Sequence, residues 1–187
     1  MKASPTRLPS VLLVEPKVFG DARGWFCETF SATRYADAGI AGPFVQDNMS
    51  RSTKGIVRGL HLQHPHAQGK LVWVVEGSVL DVAVDVRVGS PTFGASVAIE
   101  LSAENHRQLW VPAGFAHGFC VTSETALFVY KCTDLYHPEH EFGVRWDDPT
   151  LGIDWPVSAH EAVVSAKDRA LPLLAELDRA RLPRFEG

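Results

Sequence analysis

The segment SVLDVAVDVRV (78–88) alternates side-chain character residue by residue, and a period of two excludes a helix there. Leu80, Val82, Val84 and Val86 face one way, while Val79, Asp81, Ala83 and Asp85 face the other. The run KLVWVVEG before it ends in Glu76-Gly77-Ser78, a turn signal that leads into the strand. ASVAIELS, RQLWVP and ALFVYKC are further short β-rich runs, punctuated by Gly, Pro and Asn. Many short strands with no helices between them are not βαβ units; they predict an antiparallel sandwich or barrel. SATRYADAGI (31–40) reads as one short helix, with Ser31 at its N-cap and Gly39 at its end. PLLAELDRAR (172–181) reads as a closing helix. The expected fold is therefore mainly β, an antiparallel jelly roll with short helices at its ends.

A chain of 187 residues predicts one domain over 1–187, because a second core would be small. A formal charge of −4 supplies no global basic field, so neither nucleic acid nor a membrane surface is an expected partner. Any phosphate binding must come from a local cationic pocket. Cys27, Cys120 and Cys132 are an odd set without paired spacing, which reads as reduced thiols in a cytoplasmic protein. The apolar run near the N-terminus is broken by Glu15 and Pro16, too soon for a signal peptide. No G-x-S-x-G elbow, G-x-G-x-x-G loop or Walker lysine loop is present. GSPTFG (89–94) has P-loop-like ends without the following Lys-Ser/Thr and reads as a turn.

RGLHLQHPHAQGK (58–70) concentrates His61, His64 and His66 with Arg58 and Lys70. The cupin class of jelly rolls carries two short signatures that resemble this region and a later one. The first runs H-x-H, three or four residues, Glu, six residues, Gly; the second is P-x-G-x-x-H with a later Asn. PAGFAHGFCV supplies Pro112, Gly114 and His117, but Val121 stands in the Asn position. Lys70 falls six residues before Gly77, in the place of the glutamate. HPH (64–66) fits the H-x-H spacing, although Pro65 argues for a loop; with His61 instead, the second ligand is Gln63. A metal held by His61, His64, His66 and His117 remains a rival, but every such set leaves a cation in the cavity, and an ammonium repels a divalent ion. The expectation is a cupin-type double-stranded β-helix with an ammonium where a metal would sit: no metal and no cofactor.

A cation aimed at a carbonyl oxygen stabilises the enolate formed when an adjacent proton leaves. His61 is a candidate base and Tyr130 of LFVYKC a candidate acid. A carboxylate holding the other ring nitrogen of the histidine would help, but spacing alone does not choose it.

The chain resembles the dTDP-4-dehydrorhamnose 3,5-epimerase family. The resemblance is carried by FGDARGWFCETF (19–30), QDNMSRSTKGIVRGLHLQ (46–63), AQGKLVWVVEGSVLDVAVDVRVGSPTFG (67–94), PAGFAHGF (112–119), VYK (129–131) and DPTLGIDWP (148–156), which cover most of the sequence. It implies epimerisation of C3 and C5 of dTDP-4-keto-6-deoxy-D-glucose through an enolate, giving dTDP-4-keto-L-rhamnose. The alternative it leaves open is a single-carbon epimerase or ketoisomerase of a related dTDP-sugar pathway. His61 would be the base, paired with Asp168 of SAKDRALP; Lys70 would stabilise the enolate oxygen, and Tyr130 would be the acid. Arg58 and His117 would line the pocket, with Gln46 and Asn48 adding polar contacts. Arg23, Phe26 and Glu28 would hold the thymidine end, on a segment that in this family reaches into the neighbouring subunit of a homodimer. Met49 and Cys27 depart from the residues common in relatives, and the C-terminal region around Asp168 matches least.

Plainer readings stand beside these. A tyrosine on a strand is usually core. A solvated sheet face accounts for Asp81 and Asp85, and His106, His137, His140 and His160 lie in polar surroundings expected at the surface. Arg23 and Glu28 could form an ion pair on an edge strand.

Overall fold

A computed structural model describes residues 1–186. In chain order its strands are β1 (Lys2–Pro5), β2 (Leu12–Glu15), β3 (Val18–Asp21), β4 (Gly24–Cys27), β5 (Gln46–Thr53), β6 (Ile56–Gln63) and β7 (Lys70–Glu76). They continue as β8 (Ser78–Asp85), β9 (Ser96–Ser102), β10 (Gln108–Val111), β11 (Phe115–Val121), β12 (Thr125–Cys132), β13 (Glu141–Gly143) and β14 (Val163–Val164). Two short helices, α1 (Ala32–Asp37) and α2 (Ala166–Arg169), complete the regular structure with a few 3-10 turns. One sheet has the order β1-β2-β10-β7-β12-β5 and the other β13-β6-β11-β8-β9; β3 and β4 form a separate hairpin. Every pairing is antiparallel except that of β14 with β6. The mainly β jelly roll expected from the sequence is the architecture found.

The two sheets face each other across one apolar cluster. Val72, Leu109 and Phe128 enter it from the first sheet, and Val79, Ala83 and Phe119 from the second. Burying the valine, leucine and phenylalanine side chains contributes roughly 1.5–3 kcal/mol each. On the outside of the first sheet, α1 seats Tyr35 beside Leu71 and Trp110. The Tyr35 hydroxyl donates to the Gln108 side chain at 2.8 Å, which pins the helix to β10. Ser31 occupies the α1 N-cap position, but its side chain makes no capping bond.

On the outside of the second sheet, Leu60, Val82, Val84 and Val86 are covered by Val144, Leu151, Leu174 and Leu182. Two departures from the sequence reading belong to this sheet and the segment that covers it. Asp81 and Asp85 do not lie on a solvated face: β8 is interior to its sheet and buried on both sides, and both carboxylates are fully buried. Their alternation with apolar residues is real, but each buried carboxylate has partners. Asp85 accepts hydrogen bonds from Arg87, Ser90 and Thr92 across the GSPTFG turn.

The second departure is the closing helix. Residues 172–181 form two 3-10 turns, Leu174–Glu176 and Arg179–Arg181. Local side chains compete for the backbone there: Glu176 accepts from the Leu173 N–H at 2.8 Å and Asp178 from the Ala180 N–H at 2.9 Å. The Leu174 N–H meets the buried Asp148 carboxylate at 2.7 Å. The segment trades helical bonds for a path that lays its leucines along the sheet.

Candidate active site

A cavity of about 580 Å³ opens between the sheets, lined by His61, Lys70, His117 and Tyr130 together with Asn48, Arg58 and Asp168. Strand register explains how residues so far apart in sequence meet. On the first sheet, Lys70 pairs with Cys132 and Val72 with Tyr130, so Lys70 and Tyr130 are diagonal neighbours on one face. Asn48 lies opposite Tyr130 and Gln46 opposite Cys132 on the same face of β5. On the second sheet, His61 lies directly across from His117. The histidines therefore come from one sheet, and the lysine and tyrosine from the other.

Asp168 reaches His61 through the parallel pairing of β14. Val163 and Val164 run beside Ile56 and Val57, Ser165 caps α2, and the helix then lies alongside Gly59 and His61. The His61 Nε2–H donates to Asp168 Oδ1 at 2.6 Å. The Gly59 N–H donates to Asp168 Oδ2 at 3.3 Å, and the Asp168 N–H to Ser165 Oγ at 3.0 Å. Burial pushes the Asp168 carboxyl up, but the His61 hydrogen bond and charge, with the Gly59 and Ser165 contacts, outweigh it and leave it below the usual range. Asp168 is thus an ionised, nearly buried anchor for the imidazole.

This junction needs glycine. Gly59 has φ +108, and a Cβ there would meet the His117 carbonyl oxygen at 2.6 Å and Gly118 Cα at 2.7 Å. The close approach of β6 to β11 sets His61 against its carboxylate.

Lys70 opens β7 beside Cys132. Desolvation pushes its ammonium down from the ordinary lysine range, opposed by Cys132, Glu141 and Asp81. Burial pushes the Tyr130 phenol up, with Cys132 and Glu141 adding to the effect, so it stays protonated at neutral pH. Tyr130 packs against the inter-sheet core, as a strand tyrosine should, yet its ring also lines the cavity. The side chain thus meets the core on one side and the cavity on the other.

Two groups near the site escaped the sequence reading. Asp81 accepts from the His117 Nε2–H at 2.9 and 3.0 Å, making a second, more deeply buried His–Asp pair. Glu141 on β13 bonds Lys167 and accepts from the Tyr136 hydroxyl at 3.0 Å. Burial raises its carboxyl, but Lys167 and the charge of His61 bring it below the ordinary value. Asp81 had one legible signal, an acidic residue on a strand whose other face is wholly apolar. Glu141 had none, because its place depends on β13 pairing with β6.

Among the described residues the rival metal set does not assemble: His64 and His66 lie in the β6–β7 loop, as Pro65 implied, and do not converge with His61 and His117. Arg58 is exposed at the rim, its Nε–H donating to Ser52 Oγ at 3.1 Å. Gln46 Nε2 donates to Asn48 Oδ1 at 3.1 Å just outside the lining. Arg23 and Phe26 are elsewhere, over the exposed β3–β4 hairpin. Arg23 does not pair with Glu28 as the plainer reading had it; it pairs with Asp21, and Glu28 pairs with Arg34. Among the described residues no helix is long and apolar enough to cross a membrane.

A family model described as dTDP-4-dehydrorhamnose 3,5-epimerase matches residues 5–176. A dTDP-4-dehydrorhamnose 3,5-epimerase of Pseudomonas aeruginosa is 54% identical over 179 residues, 95% of this chain and 98% of the relative. The crystal structure of a dTDP-6-deoxy-D-glucose-3,5-epimerase from Legionella pneumophila, in complex with dTDP-4-keto-L-rhamnose, superposes with TM-score 0.96 at 52% identity, covering 100% of this chain and 99% of the other. A 3'-monoepimerase from Streptomyces bikiniensis in complex with dTDP-quinovose is more distant, with TM-score 0.91 at 35% identity over 98% and 93% of the two chains. The match of sequence, fold and length is continuous, and the chain belongs to the dTDP-4-dehydrorhamnose 3,5-epimerase family.

Proposed function

We propose that His61, Lys70 and Tyr130 carry out the two proton transfers that convert dTDP-4-keto-6-deoxy-D-glucose into dTDP-4-keto-L-rhamnose. The observation that carries this is the division of the site: the His61–Asp168 pair comes from one sheet, Lys70 and Tyr130 from the facing one. Inversion requires a proton to leave one face of a carbon and another to arrive on the opposite face. C3 and C5 both flank the C4 carbonyl, so one base, one oxyanion donor and one acid serve both carbons. His61 removes the proton while Asp168 fixes its tautomer and stabilises the imidazolium. Lys70 donates to the developing O4 enolate, and its lowered affinity for its proton strengthens that donation. Tyr130, kept protonated by burial, delivers the new proton. Asp81 holds His117 at the cavity wall, and Arg58 supplies a cation for the diphosphate. No step draws on a cofactor.

A homodimer fits the exposed surface. On the β3–β4 hairpin Phe19, Trp25 and Phe26 are 53%, 63% and 68% exposed, and β5 ends its sheet as an open edge. Exposed apolar patches of this kind mark interaction sites. A hairpin donated by a second copy would bring Arg23 and Phe26 to the nucleotide end of the partner's cavity. Three free cysteines favour a reducing compartment, the cytoplasm.

Proton NMR of the keto-sugar in D2O tests the reaction. Deuterium should enter C3 and C5, and the product should have the L-rhamno configuration. Exchange and inversion confined to one carbon would instead make this chain a single-carbon epimerase like the Streptomyces bikiniensis relative.

A further inference from the structure

Two loops outside the cavity bring metal-type ligands together. The β6–β7 loop carries His66, and the loop after β12 carries Asp134 and His137. One donor atom from each lies within 4.8 Å of the others. His66 Nδ1 is 3.5 Å from Asp134 Oδ2, too long for a good hydrogen bond but well placed for a shared ion. The His66 and His137 rings stack with centroids 4.3 Å apart, and the His140 ring is 5.3 Å from His66. The polar surroundings of His137 and His140 in the sequence predicted surface histidines; both are half-buried and grouped with His66.

The backbone beneath the cluster is held by two glutamine side chains. Gln63, only 5% exposed, donates to the His66 carbonyl and, at 3.0 Å, to the Leu135 carbonyl. Its own carbonyl accepts from the His137 N–H at 2.8 Å. Gln68 donates to the Asp134 carbonyl at 2.9 Å. The three side chains therefore project from a fixed base, the arrangement that preorganises a ligand set. Around a four-coordinate ion, donor atoms at 2.0–2.2 Å from the metal stand about 3.3 Å apart. The farthest pair here must close by no more than about 1.5 Å, and the stacked rings must turn from parallel to convergent. Half-exposed side chains make that rotation.

We propose that His66, Asp134 and His137 bind one divalent transition ion of the Zn2+ class, with water completing its coordination. Two imidazoles and a carboxylate select such an ion over Mg2+ or Ca2+, which take oxygen ligands. None of the three residues lines the cavity, so the ion serves a different purpose from the groups there. It clamps the loop that precedes Lys70 to the loop that follows Tyr130.

Titration of chelator-stripped protein with ZnCl2, followed by calorimetry and by thermal unfolding, tests this. The expected result is a saturable isotherm with one ion per chain and a melting temperature that rises with Zn2+. His66→Asn suits the left-handed backbone at φ +64 and removes the imidazole. That variant and His137→Ala should each weaken binding by at least about tenfold, abolish the Zn2+-dependent rise in melting temperature, and leave the epimerase rate of the metal-free protein unchanged. His160→Ala, on an exposed residue outside the cluster, should bind as wild type does. Absence of saturable binding would overturn the proposal, as would wild-type isotherms in both His66→Asn and His137→Ala.

Discussion

At the scale of single residues, the proposed mechanism gives the hydroxyl of Tyr130 and the ammonium of Lys70 different work on one intermediate. Tyr130→Phe keeps the ring that packs on the inter-sheet core and deletes only the proton donor. Enolate formation through His61 and Lys70 should survive, so NMR in D2O should detect deuterium washing into the sugar with little inverted product. Equal loss of exchange and inversion would move Tyr130 into binding or enolate stabilisation; inversion at the normal rate would leave it a core residue alone. Lys70→Met leaves the enolate charge beside an apolar side chain and should lower the rate on the order of 10²–10³-fold. A variant within a few-fold of wild type in kcat would show that the charge is stabilised elsewhere. His61→Asn should abolish exchange at both carbons together. Asp168→Asn should be damaged less, since the carboxylate acts through the imidazole at 2.6 Å and does not touch the sugar. Wild-type exchange in Asp168→Asn would reassign the partner of His61.

At the scale of elements, the site depends on how closely β6 and β11 run. Gly59→Ala places a methyl 2.6 Å from the His117 carbonyl on a backbone at φ +108. Strain at such a position costs on the order of 1–3 kcal/mol, and a chain of this size loses roughly 2–4 °C of Tm per kcal/mol. Thermal unfolding should show a drop of several degrees, and kcat should fall because His61 moves relative to Asp168. An unchanged Tm and kcat would mean that the two strands part without consequence. Strand pairing also decides what could be foreseen. The period of two in β8 is local, as are the turn residues between strands, so the jelly roll could be read from the sequence. Lys70 in the glutamate's place was equally visible. The depth of Asp81 was not, because residues 144–182 cover the face of β8 that carries Val82, Val84 and Val86, which leaves the face of Val79, Asp81 and Ala83 turned inward against the other sheet. Within them, residues 172–181 read as a helix from their composition; Glu176 and Asp178 instead bind nearby backbone N–H groups and hold two tight turns. Asp168 is 107 residues from His61, and only the β14–β6 pairing joins them. The family resemblance could name that pair; spacing could not.

At the scale of the molecule, the proposed base and acid sit on different sheets, so their separation is set by the core between them and by the buried charges that hold the strands and their connections. Asp85 is the clearest of these. Burial pushes its carboxyl up, but Arg87, Ser90, Thr92 and the Arg87 N–H outweigh that and hold it below the ordinary range. Asp148 and Asp168 are depressed in the same way, each against the opposing effect of burial. A carboxylate whose folded pKa lies below its unfolded value of about 3.9 binds fewer protons folded than unfolded between those two values. Stability therefore rises with pH through that window, is fully present above it, and is lost as pH falls through the folded pKa. Urea midpoints should accordingly climb as pH is raised from strong acid to about 4 and show no further gain from these three groups above it. Asp85→Asn should flatten part of that climb. At neutral pH it should also cost about 3–5 kcal/mol, because it strands the Arg87 guanidinium, which is only 15% exposed, without its partner. If the urea midpoint of Asp85→Asn matches wild type at pH 7 and follows the same acid limb, the Asp85–Arg87 pair contributes nothing to the acid response of the fold.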